Sequence, residues 1–118
     1  MPPRIVYSRG DVVLVLFPHS DLRTAKTRPA VIVQADDVKT DMPQVIVAMI
    51  SGRMFRAGHP SRVVITVTSP AGRQSGLLGD SVVMADNVAT IALAAIDRVI
   101  GSIPMPQIDG ALRHTFAL

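Results

Sequence analysis

Residues 10–33 read GDVVLVLFPHSDLRTAKTRPAVIV, and they contain the clearest structural pattern of the chain. Two short apolar runs, Val12–Phe17 and Pro29–Ala35, flank a polar loop at Pro18–Arg28. β-Branched runs separated by turn residues are typical of strands. Arg28 stands at the mouth of the second run, where Pro29 keeps the preceding backbone extended. We therefore predict two strands joined by a charged loop, with an arginine fork presented where it could bind phosphate oxygens.

The rest of the chain continues the same pattern of short apolar runs and turns. Further strands are predicted at Val45–Ile50, Arg62–Val67, Ser81–Met84 and Asp97–Ser102, with loops at Asp36–Gln44, Gly52–Ser61 and Ser69–Asp80. Thr90–Ile103 fits either a helical turn or a strand. Gln107–Leu118 is predicted to be a C-terminal helix, because two prolines precede it and its apolar residues fall on one face. The sequence thus predicts a β-dominated fold.

Length and composition limit the functional classes. A chain of 118 residues suits one domain, which we expect to span residues 1–118. The chain has no cysteine, so it can form neither a disulfide framework nor a thiolate metal site. Because neither a long apolar segment nor a secretion signal is evident, we expect a soluble cytoplasmic protein without a membrane partner.

The charged residues are biased in type. Ten of the twelve basic residues are arginines, all nine acidic residues are aspartates, and the formal net charge is +3. Arginine binds phosphate in a bidentate manner, which favours a nucleic acid or an acidic protein as partner. A GC-rich genome would produce the same bias, so composition alone leaves both explanations open.

The sequence predicts no metal or cofactor. His19, His59 and His114 are far apart and show no metal-ligand spacing. The aspartates of the predicted loop Asp36–Gln44 are better explained as turn residues. The glycines of Ser69–Asp80 do not form a phosphate-binding motif, because no G-K-[ST] follows them.

Ser51 is the second candidate site residue. It ends the run Val45–Ile50 and precedes Gly52, so its hydroxyl is expected near a strand end. Taken alone, a serine before a glycine is most simply explained as a turn residue.

Three segments resemble one known family. Residues 10–33, with the Arg28-Pro29 pair, are similar to the signature of the MazF/PemK toxins, the ribonuclease components of bacterial toxin–antitoxin pairs. Gly79–Ile91 is similar to the S-V-V-x-x-D-x-x-x-T-I segment of that family, and Ile100–Ile103 to its I-G-x-L. The resemblance covers nearly the whole chain. It implies an SH3-like small barrel of the PemK/CcdB type, mainly β with a C-terminal helix, that pairs as a homodimer.

The resemblance also implies an activity. It is metal-independent, sequence-selective cleavage of single-stranded RNA (mRNA) through attack by the ribose 2′-hydroxyl, and the implied protein partner is an acidic antitoxin. Arg28 and Ser51 match the arginine and the hydroxyl residue of the family site. Asp21 is the nearest acid in the loop where MazF-type relatives carry glutamate, and it could act as base, orient Arg28 or cap the loop; His19 is a weaker candidate. The expected RNA-binding residues are Arg23, Lys26, Arg53, Arg56 and Arg62.

Two alternatives remain open at this point. Ala89 stands where some members carry an arginine or lysine, and together with the missing glutamate this departure allows a non-cleaving RNA-binding module. The few aromatic residues count against pure single-strand binding. A CcdB-like gyrase poison would share the barrel, but the C-terminal residues Thr115–Leu118 lack the tryptophan that would favour it.

Overall fold

The computed structural model describes residues 6–18, 23, 25–38 and 41–118. Within these ranges the chain forms six strands and two helices. In chain order they are β1 (Asp11–Pro18), β2 (Ala25–Ile32), β3 (Gln44–Ser51), β4 (Arg62–Ile65), α1 (Pro70–Ser75), β5 (Ser81–Ala92), β6 (Ile96–Ser102) and α2 (Pro106–Phe116). Single 3₁₀ turns occur at Met54–Arg56 and Leu93–Ala95.

All six strands belong to one antiparallel sheet with the order β4-β5-β3-β2-β1-β6. The sheet is open in the described part of the chain, because its ladder ends at β4 on one edge and at β6 on the other. Helix α2 packs against β4 and β5, while α1 packs against β6. The predicted mainly-β fold with a C-terminal helix is therefore confirmed, with an incompletely closed barrel.

The sheet buries apolar side chains on both of its faces. Successive strand residues point to opposite faces, so Val12 joins one cluster while Val13 and Val15 join the other. The first cluster includes Ile108 and Ala111 of α2. Fully burying a valine or isoleucine contributes roughly 1.5–3 kcal/mol, so these two clusters are the main source of the sheet's stability.

Three strands differ from their predicted bounds by two or more residues. β2 begins four residues before Pro29–Ala35 and ends at Ile32, because its pairing with β1 continues into the polar residues Ala25–Arg28. β4 ends at Ile65 rather than Val67, since Thr66 accepts a turn hydrogen bond from Ser69 N–H instead. β5 extends past the predicted Ser81–Met84 to Ala92, and it pairs with β3 on both sides of an interruption at residues 85–87.

Two of the predicted loops contain short helical segments. α1 lies within Ser69–Asp80, where the Ser69 hydroxyl caps the helix by accepting a hydrogen bond from Gly72 N–H at 3.0 Å. A 3₁₀ turn lies within Gly52–Ser61. The ambiguous segment Thr90–Ile103 resolves into the end of β5, a 3₁₀ turn and β6. None of the helices in the described ranges is long and apolar enough to span a membrane.

Candidate functional site

A cleft opens where β2 and β3 separate. β2 pairs with β1 from Ala25 to Val31, but its ladder with β3 covers only Ala30–Ile32. Pro29 has no N–H to donate and so cannot extend that ladder. Beyond Pro29 the two strands diverge, and a cleft of about 630 Å³ lies between them. The proline of the Arg28-Pro29 pair thus helps to create the space that the arginine faces.

Arg28 and Ser51 lie on opposite walls of this cleft. Extending the register of the Ala30–Met49 pair by two residues places Arg28 level with Ser51, and the alternation of side chains places both on the same face. Both residues line the cleft. The two main site candidates are therefore brought together by register.

Both side chains have donors available to a ligand. The Arg28 side chain is exposed and makes no hydrogen bond or ion pair with any described residue. The half-buried Ser51 accepts a hydrogen bond on Oγ from the backbone N–H of Arg53 at 3.1 Å. This bond orients the hydroxyl and leaves its own hydrogen to donate.

Three further cations line the cleft: Lys26, Arg53 and Arg56. Arg53 directly precedes the 3₁₀ turn Met54–Arg56, and Arg56 is its last residue. The Arg56 N–H donates to the Arg53 carbonyl oxygen at 3.0 Å, which keeps the two residues close together. The Arg56 Nη1 donates to Sδ of Met84 at 3.5 Å, and its guanidinium lies 5.8 Å from the Phe55 ring centroid. These contacts hold Arg56 toward the cleft.

The described lining contains four cations and no carboxylate. The potential in a concave, cation-lined site is concentrated by its low-dielectric walls and favours an anion. Among the described residues no group of three His, Asp or Glu side chains could hold a metal ion. The arrangement is therefore suited to a phosphate-bearing ligand.

A bulge in β5 supplies a polar group that the sequence interpretation did not identify. Ala48 pairs with Val88 but Met49 pairs with Met84, so residues 85–87 are looped out of the ladder. Bulges of this kind are frequent beside functional sites, where they redirect a side chain. Here Asn87 lines the cleft. No pattern in the sequence marks the bulge, because its position depends on pairing with β3.

Arg62 lies outside the cleft lining. Its guanidinium forms an ion pair with Asp86 at 2.9 Å, and its Nη1 donates to the Arg56 carbonyl oxygen at 3.0 Å. The hydrogen bond from Arg62 lowers the pKa of Asp86, and the same bond raises the pKa of Arg62. Arg62 thus supports the backbone of a cleft residue, and its expected RNA contact stays a prediction.

The remaining predicted site residues are either absent from the cleft lining or lie outside the described residues. Arg23 is described but is not among the cleft-lining residues. Asp21 and His19 lie outside the described residues, so their predicted roles stay predictions. Ala89 lines the cleft, which places this departure from the family pattern within the candidate site itself.

Comparison with known proteins points to a single family of toxins. A family model for PemK-like, MazF-like toxins of type II toxin–antitoxin systems matches residues 8–116. The Mycobacterium tuberculosis toxin MazF-mt6 is 25% identical to this chain, with 90% of this chain and 97% of that chain covered and a TM-score of 0.66.

Two complexes share the fold at lower identity. A mycobacterial endoribonuclease bound to its cognate antitoxin is 22% identical, covering 95% of this chain and 96% of that chain, with a TM-score of 0.69. A MazE–MazF complex from Deinococcus radiodurans is 16% identical, covering 97% and 96%, with a TM-score of 0.71.

Proposed function

This chain belongs to the PemK-like, MazF-like toxins of type II toxin–antitoxin systems, and from that membership we propose that it is a metal-independent, sequence-selective endoribonuclease acting on single-stranded RNA. The observation that carries the proposal is the cleft whose lining includes Arg28 and Ser51 together with three further cations. A similar protein of the same fold is named an endoribonuclease.

The proposed reaction is an internal transesterification. The ribose 2′-hydroxyl loses its proton and attacks the adjacent phosphorus, the bond to the 5′-oxygen breaks, and that oxygen takes up a proton. The products are a 2′,3′-cyclic phosphate and a free 5′-hydroxyl. Negative charge accumulates on the non-bridging oxygens as the phosphorane forms, so fixed donors aimed at those oxygens lower the barrier.

Arg28 is assigned to hold the non-bridging oxygens through two parallel hydrogen bonds, and Ser51 to donate a third. Asp21 is assigned to the proton transfer, as the acid nearest to Arg28 in the preceding loop. Lys26, Arg53 and Arg56 contact the flanking phosphates. Arg23 and Arg62 are assigned to more distant phosphates, with Arg62 acting mainly through Arg56.

Metal independence is supported by the charge of the cleft. Four cations without a described carboxylate attract phosphate but repel a divalent cation. We expect purified protein to cleave unstructured RNA in excess EDTA, as measured by appearance of cyclic-phosphate ends. An Arg28→Ala preparation, purified in parallel, controls for contaminating nucleases. Activity that chelation abolishes and magnesium restores would contradict the mechanism.

The biological role follows from the family. We propose a toxin that cleaves mRNA in the cytoplasm, pairs as a homodimer, and is neutralised by an acidic antitoxin. Similar proteins have been solved in complex with a cognate antitoxin. Ala89 in the cleft keeps one alternative open, a non-cleaving RNA-binding module. RNA that binds in the cleft yet stays intact would favour that alternative, whereas binding to gyrase without RNA cleavage would favour a CcdB-like poison.

A further inference from the structure

A second cavity adjoins the cleft on the other side of the β2 mouth. It has a volume of about 630 Å³. Thr27, Pro29 and Gly52 line both the cleft and this cavity, so the two adjoin at these residues. Strand alternation places the cavity on the opposite face of β2 from Arg28, and the gap that opens between β2 and β3 beyond Ala30 would give a nucleotide next to one held at Arg28 access to it.

The floor of the cavity is a row of side chains across three strands. Leu14 pairs with Pro29 of β2 on one side and with Arg98 of β6 on the other. Cross-strand partners point to the same face, so these three residues form a continuous surface that is apolar on one side and cationic on the other.

The wall is the segment between α1 and β5, residues 76–80. Gly76 ends α1 in a left-handed conformation with φ 73°, and a side chain there would overlap the carbonyl oxygen of Ile100. The far end of the segment is tethered because Asp80 Oδ1 accepts a hydrogen bond from Val67 N–H at 2.8 Å. The wall is therefore fixed at both ends and preorganised.

Two polar groups and one apolar group of the lining are available to a ligand. Asp80 Oδ2 accepts no hydrogen bond from the described residues. Arg98 uses Nη1 to bind Asp97 at 3.0 Å and retains its other donors. Leu78 is fully exposed at the rim of the cavity. Apolar walls with one acceptor and one donor group match a nucleobase, which has apolar faces and a polar edge.

We propose that this second cavity binds the base of a nucleotide next to the cleaved bond, an assignment that rests on the proposed function. Asp80 accepts a hydrogen bond from an amino group on the base, Arg98 donates to a ring nitrogen or carbonyl oxygen, and Leu78 covers one face. Since a carboxylate accepts from the N4 amino group of cytosine and repels the O4 carbonyl of uracil, the cavity prefers cytosine to uracil.

The test uses two matched variants. Asp80→Asn keeps the Oδ1 acceptor for Val67 N–H but replaces Oδ2 by an amino donor, so the loop stays anchored while the hydrogen-bonding edge changes. Leu78→Ala removes a side chain that contributes nothing to the core, because it is fully exposed. Asp37→Asn and Leu118→Ala make the same chemical changes at exposed positions outside the cavity.

The substrates are short RNAs that differ only in having cytosine or uracil beside the cleaved bond. Affinity is measured on copies with a 2′-deoxy sugar at that bond, which cannot be cleaved, and kcat/KM on the cleavable copies. We expect Asp80→Asn to reduce the ratio of cytosine to uracil affinity about tenfold. Leu78→Ala should weaken binding of both RNAs and leave kcat unchanged. The two control variants should match the wild type.

An unchanged base preference in Asp80→Asn, together with unchanged RNA affinity in Leu78→Ala, would overturn the inference, including when the same variants weaken antitoxin binding. A failure of the proposed function would give a different result. In that case the wild type leaves the cleavable RNAs intact, while the affinities of the non-cleavable copies still report whether the cavity discriminates between the bases.

Discussion

In the proposed reaction, Arg28 binds phosphate by the geometry of its guanidinium as well as by its charge. This guanidinium is exposed and unpaired among the described residues, and Arg28 lines the same cleft as Ser51. A lysine ammonium would keep the charge but lose the planar fork that binds two oxygens at once. We expect Arg28→Lys to lose nearly as much single-turnover cleavage rate as Arg28→Ala, roughly 10²–10³-fold.

Controls for this experiment separate chemistry from folding. Both Arg28 variants should keep the wild-type unfolding midpoint, because an exposed arginine contributes little to stability. Ser51→Ala should cost less activity than either, and Ser51→Thr should be tolerated because it keeps the hydroxyl. Arg73→Ala, at an exposed site on α1, should leave cleavage unchanged. Normal cleavage by Arg28→Ala would move the active site elsewhere, and unfolding would show that Arg28 is structural.

The Arg62–Asp86 ion pair makes a small, pH-dependent contribution to stability. The hydrogen bond from Arg62 lowers the pKa of Asp86 in the folded protein. The stabilisation is therefore complete above the ordinary aspartate pKa of about 3.9 and is lost as the pH falls through the lowered folded value. The two side chains keep 25% and 31% of their surface exposed, so solvent screens the ion pair and the contribution is small.

We expect Asp86→Asn to be less stable than the wild type at neutral pH, with the difference shrinking below about pH 4. Urea unfolding midpoints across this range measure it. Asp37→Asn, in an exposed turn, should show no such trend. A stability difference that stays constant with pH would mean that Asp86 acts through packing and not through its charge.

At the scale of elements, α1 and β6 are held together by a close backbone approach. A Cβ on Gly101 would overlap the carbonyl oxygen of Gln74 at the end of α1. Gly110 lies in the interior of α2, where an added Cβ meets nothing within 4 Å. Replacing these two glycines with alanine should therefore change the stability of the protein in opposite directions.

We expect Gly101→Ala to destabilise the protein by about 1–3 kcal/mol, since the backbone must shift to relieve the overlap. Gly110→Ala should stabilise it by about 1 kcal/mol, the difference in helix propensity. Chemical denaturation of both variants measures these changes. Equal effects of the two substitutions would contradict the assigned packing of α1 on β6.

The helices and strands also show which parts of the fold can be predicted from the sequence. β1, β3 and α2 lie within one or two residues of their predicted bounds, because dense apolar patterns end at turn residues. α1 was missed because six residues containing a glycine show no helical periodicity. β5 was predicted eight residues short because the bulge at residues 85–87 breaks its alternation.

For the candidate site, too, only the features with a local sequence signal can be predicted. Arg28-Pro29 is visible locally, because a strand mouth and a proline are adjacent in sequence. Its position opposite Ser51 depends on the register between β2 and β3, which the sequence suggests only through family resemblance. Asn87 and the second cavity depend on long-range pairing and on the docking of α1. These features have no local signature.

For the molecule as a whole, charge favours anionic partners. The chain has a net charge of +3, and four cations are concentrated in one cleft. Such a cleft attracts carboxylates as well as phosphates, so an acidic and largely disordered antitoxin segment could fold across it. RNA and antitoxin would then use the same cations, and inhibition would arise from direct competition.

We expect an acidic antitoxin to displace a fluorescent, non-cleavable RNA from the protein, with an apparent RNA affinity that falls in proportion to antitoxin concentration. Arg53→Ala should weaken both partners, because it removes a shared cation, and should reduce the salt dependence of RNA binding by about 0.7 in log–log slope. Arg73→Ala, outside the cleft, should affect neither. Simultaneous binding of RNA and antitoxin without loss of affinity would show that the antitoxin acts at a different surface and inhibits without occupying the cleft.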